Sequence, residues 1–238
     1  MRNTLVVALA TGLACAVCTS PAYADDMTPK WGGLFVGLNV GATGLSSEET
    51  DIPILPPGPS STVHGGPAWG GSGGLTWGYD WRLSPNVVVG TISTLNLESA
   101  DVTVTEVNGT KNHLIEGYSL NTGLRLGVLT DARTLIYGKG GYSRAGFQFK
   151  YNPGGVGAYM KDTTFEGWFA GAGVQRKISD GLSLTLDYEF ARYNAQMLAA
   201  EPPPPPDERH RMTPETQTVR VGFVYNLFNR SETHVPMK

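Results

Sequence analysis

The chain has 238 residues, 31 of them glycine, and a net charge of −3. That weakly acidic balance argues against a nucleic-acid partner. Both cysteines, Cys15 and Cys18, fall within the first 24 residues, so a chain cleaved there has no disulfide, thiolate metal site or cysteine nucleophile.

The N-terminus reads as an export signal. Arg2 is the only charge before Asp25, an apolar run extends from Leu5 to Val17, and Ala22-Tyr23-Ala24 supplies the small-x-small pattern read by signal peptidase. The run is too short for a membrane anchor, which needs roughly 20 apolar residues. Residues 1–24 are therefore expected to be a signal peptide cleaved between Ala24 and Asp25. Neither cysteine has the leucine three residues before it that a lipoprotein site prefers. Removing Arg2 leaves 17 Lys+Arg against 21 Asp+Glu, a net of −4.

Beyond the leader no window holds a helical period, and alternation recurs instead. Leu34, Val36, Leu38 and Val40 oppose Phe35, Gly37, Asn39 and Gly41. Leu75, Trp77, Tyr79 and Trp81 oppose Thr76, Asp80 and Arg82. Segments 87–98 and 134–149 read as strands by β-branched content, with ambiguous facing that leaves Lys139 unplaced. Tyr118, Leu120, Leu124 and Leu126 oppose Ser119, Asn121, Gly123 and Arg125. Trp168, Ala170 and Ala172 oppose Phe169, Gly171 and Gly173. Leu184, Leu186 and Tyr188 oppose Thr185, Asp187 and Glu189, and Val219, Val221 and Phe223 oppose Arg220 and Gly222. Period two over about ten residues, apolar against small or polar, is the strand signature of a membrane barrel.

The connections alternate. Three are short (83–86, 130–133 and 179–181) and carry turn formers; four are long (45–66, 99–113, 150–163 and 194–215). Asn108-Gly109 predicts a hairpin extending the third and fourth strands, and the run from Pro202 to Pro206 predicts a stiff extended spacer. An eight-stranded antiparallel up-and-down transmembrane β-barrel over residues 25–228 follows, with its four long loops extracellular and a polar tail at 229–238. A bilayer leaves no water for an unpaired backbone, so only a closed sheet serves.

Two aromatic girdles are expected at the membrane surfaces: Trp31, Tyr79, Trp81 and Tyr225 toward the short turns, and Trp69, Tyr118, Trp168 and Phe190 toward the long loops. The interior of an eight-stranded barrel is just wide enough to be filled by side chains, so inward glycines make room for larger neighbours. Four inward charges, Arg125, Arg220, Asp187 and Glu189, are expected to form one salt-bridge cluster that plugs the lumen, because an unpaired buried charge is costly. No cofactor or metal is expected, and catalysis finds little support. His64, His113, His210 and His234 fall in loops or the tail, none on a strand beside a serine and a carboxylate.

Trp31-Gly-Gly-Leu-Phe-Val-Gly-Leu-Asn-Val-Gly resembles the first strand of the alphaproteobacterial outer-membrane immunogenic proteins, the Brucella and rhizobial OmpA/opacity-like barrels of the porin family. Gly167-Trp-Phe-Ala-Gly-Ala-Gly-Val, Leu186-Asp-Tyr-Glu-Phe and Thr218-Val-Arg-Val-Gly-Phe-Val-Tyr resemble their sixth, seventh and last strands. The resemblance implies a monomeric surface barrel in the outer membrane of a Gram-negative cell, supporting envelope integrity and contacting a host surface. Its partners would be the lipid bilayer with lipopolysaccharide, the barrel assembly machinery and a host ligand. A narrow porin or a loop-mediated haemin receptor are the alternative readings. One departure is the tail: Leu227-Phe228 is followed by ten more residues, where such barrels typically end on an aromatic.

Overall fold

A computed structural model describes residues 31–53, 61–105, 111–152, 159–199 and 208–227. The cleavage residues Ala22, Ala24 and Asp25, the Asn108-Gly109 pair, the proline run and the C-terminal tail lie outside the described residues. The elements are β1 (Gly33–Pro53), β2 (Ser61–Ser84), β3 (Val87–Glu98), β4 (Asp101–Thr105), β5 (Lys111–Asp131), β6 (Thr134–Asn152), β7 (Tyr159–Lys177), β8 (Leu182–Tyr193), β9 (Gln196–Ala199) and β10 (Glu208–Asn226).

Every pairing is antiparallel, and β1 pairs with both β2 and β10, so the sheet closes on itself. The short strands complete two longer ones. β4 pairs β5 beyond the end of β3, and β9 pairs β10 beyond the end of β8. The result is an eight-stranded closed barrel whose third and seventh staves are each broken once. At the first break Ser99 N donates to Gly71 O and Glu116 N donates to Ala100 O, so the ladder keeps its backbone bonds through the interruption.

The wall is taller than the alternating segments alone require. The β1–β10 ladder runs on to Pro53 opposite Glu208, and the β5–β6 ladder to Lys111 opposite Asn152. Much of the four segments expected as long connections is therefore paired strand, because two antiparallel partners that both continue satisfy their own backbone groups outside the membrane. His64, His113 and His210 accordingly lie in β2, β5 and β10 rather than in loops.

Polarity reverses partway up the wall. In the lower part, nearest the short turns, Leu38, Val40, Leu75, Trp77, Leu124, Leu126, Val221 and Phe223 are exposed on the outside, while Asn39, Asp80, Thr94, Asn121, Arg125 and Arg220 are buried inside. Above Tyr118 and Trp168 the interior becomes apolar, with Leu45, Val102, Leu114, Phe147, Phe165 and Met212 in one buried cluster. There the outer surface carries Asp101, Thr103, Asp162, Glu166 and Arg192. A wall facing lipid must be apolar outside, and one facing water must be apolar inside, so the reversal marks the membrane surface. On β2, Trp69 and Tyr79 are ten residues apart. At about 3.3 Å per residue and a tilt of about 40° they bound a band of about 25 Å, the height of the apolar belt of outer-membrane barrels.

A β-bulge at Gly117 makes the reversal possible on β5. Below it the odd-numbered residues Ser119, Asn121 and Arg125 face inward; above it the even-numbered Leu114 and Glu116 do. One extra residue shifts the facing without breaking the ladder.

Candidate functional site

The chemistry of this protein is concentrated in its lumen, which is filled in three layers. The lowest is hydrophobic and includes Trp31, Val88, Leu135 and Tyr137. Gly32 and Gly33 hold φ of 147° and 92°, a region open to glycine, and so turn the chain entering β1. Trp31 is thereby folded inside, where its Nε1 donates to Ala132 O at 3.1 Å and its ring lies 4.8 Å from the Lys177 ammonium. Trp31 therefore does not belong to the girdle. Of the other expected members, Trp69, Tyr79, Trp81, Tyr118, Trp168 and Tyr225 are exposed on the outer face, and Phe190 is half-buried. Trp69 lies over the bare backbone of Gly44, Tyr118 over Gly146 and Tyr225 over Gly181, so each of these rings covers a glycine of a neighbouring segment.

The middle layer holds the charges. Arg220 of β10 donates from Nη1 to Glu189 Oε1 at 3.0 Å and lies 3.5 Å from Glu98 Oε1. Lys139 Nζ lies 3.0 Å from Glu189 Oε2 and 3.3 Å from Asp187 Oδ1, and Tyr137 Oη donates to Asp187 at 2.6 Å. Asn121 donates to Glu189, and Thr43 and Ser119 donate to Glu98.

Arg125 does not join this group. Its Nε donates to Asp80 Oδ1 at 2.7 Å and its Nη2 pairs with Asp80 Oδ2, forming a bidentate fork, while Nη1 reaches Gln175. The guanidinium also lies 4.2 Å from the Phe35 ring. The expected single cluster is thus two: Arg125 with Asp80, and Arg220 with Glu189, Glu98, Lys139 and Asp187. The reason is lateral register. Gly90 stands between Asp80 and Arg125 across β2, β3 and β5, and a Cβ there would collide with Asp80 Oδ1. Without that side chain, Arg125 reaches sideways across one strand to the nearest carboxylate.

The same arrangement recurs. Gly171 stands between Lys139 and Glu189, and Gly173 between Tyr137 and Asp187. In each case two polar groups on strands that are not neighbours meet over an intervening glycine. Sequence reasoning missed Asp80, Lys139 and Glu98. The available signal was the alternation itself, which already set Asp80 on the inward face.

What remains between these side chains is a void of about 10 Å³, lined by Phe35, Asn39, Thr94, Arg125, Lys139 and Arg220 among others. That is room for about one water molecule. Above it sits the outer apolar layer, where Phe147 packs edge-on against both Phe165 and Tyr193 with ring centroids 5.3 and 5.5 Å apart.

A closed barrel with a lipid-facing apolar band and a packed polar interior is the architecture of small outer-membrane proteins. Residues 9–226 match the family described as outer membrane protein beta-barrel domain. The chain belongs to that family. It is similar to the 31 kDa outer-membrane immunogenic proteins of Brucella melitensis and Brucella suis, at 25% identity over 92% of this chain and 93% of each relative. Among solved structures it is similar to the outer membrane protease OmpT of Escherichia coli, with a TM-score of 0.51 over 84% of this chain and 98% of that one. At 7% identity that likeness is one of fold alone. This is an outer-membrane β-barrel surface protein, related to immunogenic proteins of the bacterial outer membrane.

Proposed function

We propose that this barrel supports the integrity of the outer membrane and contacts a host or environmental surface through its outer extension. It would reach the membrane by signal-peptide export and stand there as a monomer, in contact with lipopolysaccharide. The packing of the lumen carries the reading. Three filled layers leave room for about one water molecule in the charge layer, so solute transport has no path in this conformation and the free surface is the outer rim. The walls there rise beyond the girdle on β1, β2, β5, β6, β7 and β10, which offers a partner a paired β-surface rather than bare loops.

Catalysis is not part of this reading. His113, on the outer surface, has its Nδ1 within 3.3 Å of both Asp101 and Thr103. A hydrolytic relay requires the carboxylate on one ring nitrogen and the nucleophile on the other.

The test is complementation of a deletion strain with the full chain and with a chain whose strands are joined by tight turns just above Tyr118 and Trp168. Detergent resistance should return with both, and surface binding with the full chain only. Full surface binding by the shortened barrel would overturn the proposal.

A further inference from the structure

Among the described lumen carboxyls Glu116 is the one the charge pairing leaves out. It lies beyond the bulge at Gly117 and above Tyr118, outside the membrane-spanning part of β5, at the base of the outer apolar layer. Its side chain is 1% exposed, and its Oε2 has no hydrogen-bond partner among the described residues. In register it stands opposite Phe147 of β6, and Leu114 two residues above it belongs to the same apolar layer. The titratable groups that face it are Glu98 on β3, Glu189 and Tyr193 on β8 and Arg220 on β10. From β1, β4, β6 and β7 this layer presents hydrocarbon: Leu45, Val102, Phe147 and Phe165.

Arg220, the cation in that set, is already held by Glu189 at 3.0 Å and Glu98 at 3.5 Å. Charge counting points the same way. Above the Trp31 layer, the lumen carboxyls Asp80, Glu98, Glu116, Asp187 and Glu189 face the cations Arg125, Lys139 and Arg220 among the described residues. The carboxyls exceed the cations by two, and Glu116, which no cation pairs with among the described residues, is the first to keep its proton, because a buried acid without a counter-ion does so.

We infer that Glu116 is carried as the neutral acid in the native barrel, so that its ionisation works against the packed outer layer and makes the stability of the barrel pH-dependent. Burial pushes the Glu116 carboxyl well above the usual carboxylate range; the charge of Glu98 adds to this, Arg220 opposes it, and Glu189 adds again. The sign of the pH effect follows. In the unfolded chain the carboxyl ionises near pH 4.3. Between there and its raised value in the barrel, unfolding releases a proton, so rising pH favours unfolding by about tenfold per pH unit. The isosteric amide of Glu116→Gln has no proton to lose.

The test uses the full-length barrel in lipid vesicles, labelled with ¹³C at the glutamate carboxyls. At pH 7 a carboxyl carbon should show the chemical shift of a neutral acid, and that signal should be missing in Glu116→Gln. The unfolding equilibrium of the native protein relative to Glu116→Gln should shift about tenfold per pH unit above pH 5. If the amide variant fails to fold, Glu116→Asp makes the assignment, since it removes the labelled signal while keeping the acid. No neutral carboxyl at pH 7, neutral signals that neither substitution changes, or a pH-independent ratio would each overturn the inference.

Discussion

Lys139 Nζ lies 3.0 Å from Glu189 Oε2 although the two residues stand on strands that are not neighbours. Gly171 of β7 lies in register between them, and a Cβ there would approach the Lys139 Cε to 3.1 Å and collide with the Tyr188 carbonyl. The glycine therefore makes the ion pair possible. Gly171→Ala should cost about 3 kcal/mol, combining overpacking with damage to a buried pair. Urea unfolding in vesicles measures it. A loss below about 0.5 kcal/mol, within the range of an ordinary surface substitution, would show that the gap has no such role.

The fork between Arg125 and Asp80 is buried on both sides. Removing either partner leaves a charge in the lumen, so Asp80→Leu and Arg125→Met should each cost about 3–5 kcal/mol. The double variant should recover most of that loss, because an apolar pair leaves no charge unmatched. Additive losses in a double-mutant cycle would argue against a coupled pair.

The five tryptophans divide by environment. Trp69, Trp77, Trp81 and Trp168 are exposed on the outer wall, and Trp31 is 4% exposed inside the barrel. In single-tryptophan variants, brominated lipids should quench the first four and leave Trp31 bright. Trp77, which alone of the four lies between the β2 band's edges at Trp69 and Tyr79, should respond most to bromine placed deep in the acyl chains. Strong lipid quenching of Trp31 would return it to the girdle.

Arg220→Ala removes the cation that bridges Glu189 and Glu98. The outer layer around Phe147, Phe165 and Tyr193 stays in place. Planar-bilayer recordings of the variant should therefore stay near the baseline of the native barrel. Large, charge-sensitive pores would show that the charge layer alone keeps the lumen shut.

The sequence by itself determined the closed barrel. Strict alternation over Leu34–Val40, Leu75–Trp81 and Val219–Phe223 assigns an apolar face and a polar face to each segment, because a residue's facing in a strand depends only on its parity. Turn formers at 83–86, 130–133 and 179–181 then fix which strands are neighbours. Parity also put Arg125, Arg220, Asp187 and Glu189 on the inward face.

The tertiary structure decided which inward residues meet. Partners across a lumen depend on stagger and on the size of whatever stands between them, and neither is a local property. Gly90 and Gly171 direct Arg125 to Asp80 and Lys139 to Glu189 only once three strands are aligned. Trp31 has the sequence of a girdle residue, and the backbone at Gly32 and Gly33 folds it inside instead. The bulge at Gly117 is likewise set by pairing with β6, and it leaves Glu116 facing an apolar layer instead of water.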